Sequence, residues 1–126
     1  MNLEKVIFGF FITLALTLNF GFFIGEIDKA ADHNGIQLAA ALVVSVVATV
    51  LKLGDRTQLG ALHLATSLVA DLELMVAAAV WILASQMSGG FTPGNVSVVV
   101  SLSGGALLAN ILSVVLMVSE IVQVRR

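Results

Sequence analysis

Asp71 and Glu73 lie inside the stretch Leu62–Trp81, which is otherwise apolar enough to cross a bilayer, and His63 stands near its start. A carboxylate at the middle of a membrane is expensive, so by default it marks a working group. It takes up a proton, neutralises a cation, or hydrogen-bonds one helix to another. Set on a helix at 100° per residue with His63 at 0°, Ser67 falls at about 40° and Thr66 at about −60°. Asp71 then lies at about +80° and Glu73 at about −80°, so the two acids face different neighbours. Leu64, Leu68, Leu72, Val76 and Leu83 share the far side. One half of this helix is polar and the other is built for lipid.

Counted from Leu59 to Ala84, both acids sit near midplane, where no Lys or Arg keeps them company. Asn19, Ser45, Thr49 and Asn110 are the polar groups within a few residues of that depth. One acid would suffice as helix glue, so two on flanking faces favour ion handling. The candidate ion-pathway or helix-interface residues are therefore Asp71, Glu73, His63, Ser67, Thr66, Asn110 and Asn19. His63 reads as amphipathic packing ahead of a proton relay. With Ser67 and Asp71 it forms a line of four-residue steps that drifts round the helix, too loose for a metal set. No metal and no other cofactor is expected.

The rest of the chain must position that helix. Of 126 residues, 59% are hydrophobic and 11% charged, which excludes an ordinary soluble domain. The formal net charge of −2 gives no basic face for nucleic acid. Without cysteine there is no disulfide, thiolate chemistry or Cys-based metal site. A bilayer core about 30 Å thick needs about 20 apolar residues per helix. That rule yields one transmembrane domain, residues 1–126, with spans at about 6–25, 36–51, 59–84 and 96–122. The expected fold is all-α, an integral membrane four-helix bundle. Phe8, Phe10, Phe11 and Phe20, Phe22, Phe23 form two aromatic groups near the ends of the first span, and Trp81 suits an interface. A cleaved signal peptide is the lesser reading, because the first apolar run is too long and lacks a small-residue cleavage site.

Lys5, Lys52, Arg56, Arg125 and Arg126 fall on one side of this topology and Lys29 on the other, which predicts both termini in the cytoplasm. Lys52 is expected to snorkel to the headgroups. Glu26, Asp28 and Asp32 then form an acidic outer mouth, with a solvated loop favoured over a divalent-cation site made with His33. In the fourth span Ser97, Ser101, Gly105, Ala109 and Ser113 repeat at four-residue spacing, a helix-packing stripe. Gly104-Gly105 could instead break that helix, as in transporters that build ion sites at midplane, but a continuous helix is favoured.

Three segments carry a resemblance: Met1–Phe11, Leu51–Thr57 and Ala65–Leu72. Together they resemble a family of small four-span bacterial inner-membrane proteins of unknown function. The resemblance covers the whole chain and implies a multipass protein of the bacterial inner (plasma) membrane. It also implies an association with potassium-channel proteins. Small multidrug exporters share the length and span count, but their key acid lies in the first helix, where this chain has Asn19.

Two functions follow as expectations. The first is a homo-oligomeric cation channel or proton-coupled transporter whose third helices approach a shared axis, Asp71 of one subunit meeting Glu73 or Asn110 of the next. The second is a non-transporting auxiliary subunit of a larger membrane complex such as a potassium channel. An enzyme is not expected, since no nucleophile–base pair, phosphate loop or HExxH motif occurs.

Overall fold

The computed structural model describes residues 3–55 and 57–125, with side chains to Val122. Arg56 and Arg126 lie outside the described residues, so the positive-charge count rests at one end on Lys5 and Lys52 and at the other on Lys29. Four helices follow one another: α1 (Leu3–Phe23), α2 (Gly35–Lys52), α3 (Gln58–Gln86) and α4 (Pro93–Arg125), with a short 3-10 turn at Ala30–Asp32. All four are long and apolar enough to cross a membrane, which makes this a multipass membrane protein. Short connections make successive helices antiparallel neighbours, and α1 closes the square by packing on α4.

The helix ends have local causes. α1 stops at Phe23, short of the expected residue 25, because Gly25 turns the chain at φ 110°. A Cβ on Gly25 would also run into Asp32, 2.6 Å away. Asn34 caps α2 by accepting from the amide of Ile36 at 2.9 Å. Thr57 caps α3 by accepting from Gly60 at 2.9 Å, and Thr92 caps α4 from Asn95 at 3.1 Å with Pro93 in the first turn. α4 runs unbroken through Gly104-Gly105, and Phe23 and Glu73 occupy the space that side chains at these two positions would need.

The bundle is turned outward for lipid. Leu68, Leu72, Val76 and Leu83 are exposed as the angular count predicts, and Leu64 is half-buried. Its interior divides into two zones, each named here by the histidine at its end. Towards His33 the core is mainly apolar, with the Asn19–Ser103 pair its polar exception: Phe22, Leu38, Leu74, Ala77, Val96, Val99 and Val100 are all at most 1% exposed. Phe22, Trp81 and Phe91 stack over it, with ring centroids 5.4 and 4.5 Å apart. Towards His63 a smaller apolar cluster of Phe8, Ile12 and Ala48 shares the interior with buried polar groups.

Candidate functional site

Asp71 sits halfway along α3 and is only 8% exposed. Its position on the flank of the polar half turns it towards α2. There Ser45 Oγ donates to one carboxylate oxygen at 2.6 Å and Thr49 Oγ1 to the other at 2.5 Å. Ser45 and Thr49 are one turn apart on α2, a spacing that suits the two oxygens of a single carboxylate. Thr49 also lies 3.0 Å from the carbonyl of Ser45, so its one proton has a second acceptor within reach. No lysine, arginine or histidine bonds the Asp71 carboxylate among the described residues. The acid therefore has two hydrogen-bond donors within its own chain. Both hydroxyls can donate to the ionised carboxylate, and either can turn to accept from its protonated form.

From Asp71 the same helix face leads to one end of the bundle. Ser67 is one turn below and His63 a second, each step about 6 Å along the axis. Both are 1% exposed. Ser67 Oγ and both ring nitrogens of His63 have no hydrogen-bond partner among the described residues, and neither do Asn110 Oδ1 and Nδ2 or Asn19 Nδ2. Native interiors satisfy such groups, commonly through internal water. Thr66 donates to the carbonyl of His63 at 3.0 Å and accepts from Ser113 of α4 at 2.6 Å. Asn19 accepts from Ser103 of α4 at 2.5 Å and does not reach either acid.

His63 opens onto a charged cluster. Its Nε2 is 4.0 Å from a carboxylate oxygen of Glu120, and the ring of Phe8 meets it edge-on at 5.0 Å. Lys5 pairs with Glu120 at 3.0 Å. Lys52 does not snorkel outward as expected. It is 8% exposed, lies 4.4 Å above the Phe8 ring and reaches Asp55 at 3.6 Å. Burying its stem over Phe8 covers apolar surface while a carboxylate and an aromatic face meet the ammonium. Lys5, Phe8, Lys52, Asp55 and Glu120 line a cavity of about 540 Å³ with Glu4, Ile7, Leu51 and Gly54, and His63 lies buried behind Glu120. Sequence reasoning missed Glu120 and this cluster; the available signal was an acid late in a span at the end where Lys5 also falls. Asp55 is held below the usual carboxylate range by the hydroxyl of Thr57, then by its amide, with Lys52 adding to the effect.

Glu73 goes the other way, to the α3–α4 seam. Its carboxylate lies across Gly105, where a Cβ would come within 2.0 Å of it. Glu73 is half-buried, and no hydrogen bond or ion pair engages it among the described residues. The small-residue stripe of α4 thus serves this chain's own α3 at Gly105 and at Ser113, while Ala109 is buried, Ser97 is partly covered and Ser101 faces outward. Glu26, Asp28 and Asp32 are exposed in the α1–α2 loop, where Glu26 pairs with Lys29 at 3.3 Å. His33 is not their partner in a cation site: it is 6% exposed and both its nitrogens are taken by backbone carbonyls.

Residues 32–121 match DUF6394, a family of unknown function. The chain belongs to the DUF6394 family. The match takes in α2, α3 and all but the end of α4, and so includes Asp71, Ser45, Thr49, Ser67, His63, Glu73 and Glu120. Neither curated proteins nor solved structures give a match to this DUF6394 member.

Proposed function

We propose that this protein moves protons or a small monovalent cation across the bacterial inner membrane, with Asp71 as the group that takes up and releases the charge. One observation carries the reading: Asp71 is buried at mid-helix between two hydroxyls, at the head of a line of buried polar groups on α3 that runs to a charged cavity. Ser67 and His63 supply the unfilled hydrogen-bonding capacity along that line. Glu120, 4.0 Å from His63, exchanges protons with the cavity. The apolar core towards His33 is the barrier that a transport cycle must open. Lys5 and Lys52 at the His63 end support that end facing the cytoplasm.

Flux into liposomes reconstituted with purified protein tests this. A pH-sensitive dye and a membrane-potential dye read proton and cation movement. Asp71→Asn keeps the shape and the two hydroxyl contacts but cannot carry charge, and flux falls at least about tenfold. No flux with the wild-type chain, or undiminished flux with Asp71→Asn, ends the transport reading.

Glu73 favours a second reading. An unsatisfied acid beside a groove of about 350 Å³ between Ala65 and Val69 of α3 and Leu108 and Leu112 of α4 suits contact with another copy or with a larger membrane complex. As an auxiliary subunit the protein would lose its partner, rather than flux, on Glu73→Leu.

A further inference from the structure

His33 closes the α1–α2 loop with a pair of contacts that only one protonation state satisfies. Its Nδ1 lies 2.5 Å from the carbonyl oxygen of Phe22 and its Nε2 2.7 Å from that of Glu26. A carbonyl oxygen only accepts, so both ring nitrogens must donate, and a ring with two N–H groups is the imidazolium cation. In either neutral tautomer one nitrogen would turn a lone pair towards a carbonyl lone pair at hydrogen-bond distance.

The surroundings suit a cation here. Phe22 is in the last turn of α1, where carbonyls lack helical partners and positive charge is favoured. The amide that could have reached back to it, that of Glu26, donates instead to Asp32 at 2.8 Å. The charged groups near His33 all belong to its own loop: Glu26, Asp28, Lys29 and Asp32. The ends of α1, α2 and α3 and the α3–α4 connection bring Phe22, Gln37, Trp81 and Phe91 and no titratable side chain.

The contact holds more than the loop. The His33 ring lies 5.3 Å from that of Phe22, which is fully buried and stacks on Trp81. Ala30, in the same loop, packs against the apolar core. We propose that His33 is a proton-operated latch: with both nitrogens protonated it fastens the α1–α2 loop over the Phe22–Trp81–Phe91 stack, and loss of one proton releases it. A histidine changes charge between about pH 5 and 8, so the latch is set by the pH on its own side of the membrane. The proposal stands independently of Asp71.

Two measurements on the full chain in lipid nanodiscs test it. The chain has two histidines, so ring-nitrogen NMR of ¹⁵N-histidine protein gives two sets of signals, and the set lost in His33→Gln is that of His33. It also has no cysteine, so Ala30→Cys reports loop opening and Ser88→Cys, exposed in the α3–α4 connection, corrects for thiol ionisation. Two protonated nitrogens on His33 are expected at about pH 5.5 and one at about pH 8, while the Ala30→Cys to Ser88→Cys alkylation ratio rises roughly tenfold. A single neutral tautomer throughout overturns the proposal. So does a His33 that titrates while the ratio stays flat.

Discussion

The two histidines are both buried, at 6% for His33 and 1% for His63, and they are bonded in opposite ways. Both nitrogens of His33 are engaged by carbonyls, while neither nitrogen of His63 has a hydrogen-bond partner among the described residues. Each matches the half of the bundle it belongs to. The His33 half is sealed by close-packed apolar side chains and an aromatic stack, so its histidine can only fasten the loop above. The His63 half contains Asp71, Ser67, Thr66 and Asn110 and ends at a charged cavity, and the proposed function sets its histidine on the route of the proton. Asymmetry of this kind is what the proposed one-sided access to Asp71 requires.

Phe22→Ala gives the largest stability effect. It removes a fully buried ring from the sealed half and costs about 3 kcal/mol in a denaturant titration in micelles. Lipid is as apolar as the core, so the loss is one of packing rather than of transfer from water. A near-zero change would mean that this half is not closed.

His63→Phe separates a wet interior from a dry one. Were the two nitrogens dry and unpaired, removing them would stabilise the protein by about 1–3 kcal/mol. With water in the His63 half the change stays below about 1 kcal/mol and flux falls.

The smallest effect concerns Asp55. Thr57 holds this carboxyl below its usual range in the folded protein. An acid depressed in this way adds stability above its unfolded value of about 3.9 and loses it as pH falls through the lower folded value. The cap on α3 therefore weakens only below about pH 4. Asp55→Ala flattens that acid limb, shifting the midpoint only slightly because solvent reaches and screens this half-buried group.

Much of this architecture is legible in the sequence, for reasons tied to helical geometry. Four apolar runs dictate four spans, and the 100° step alone sends Asp71 and Glu73 to different neighbours. It cannot say which neighbours, because Ser45 and Thr49 become partners of Asp71 only once α2 and α3 settle into register. The pairing of Asn19 with Ser103 spans 84 residues and has no local signal. Lys52 looked like a headgroup anchor because nothing in sequence brings Phe8 beneath it. His33 is the largest departure. Beside Asp28 and Asp32 it reads as part of a solvated loop, yet the turn at Gly25 folds it back onto carbonyls 11 and 7 residues earlier.

Cysteine accessibility along α3 tests the difference between the two halves most directly, since the chain has no thiol of its own. Ser67→Cys and Ala77→Cys place thiols at buried positions on the two sides of Asp71. In liposomes of known orientation, a small water-soluble thiol reagent added from the His63 side should modify Ser67→Cys and leave Ala77→Cys untouched from either side. Equal protection of the two thiols would show that the His63 half is as dry as the other, and the account would fail.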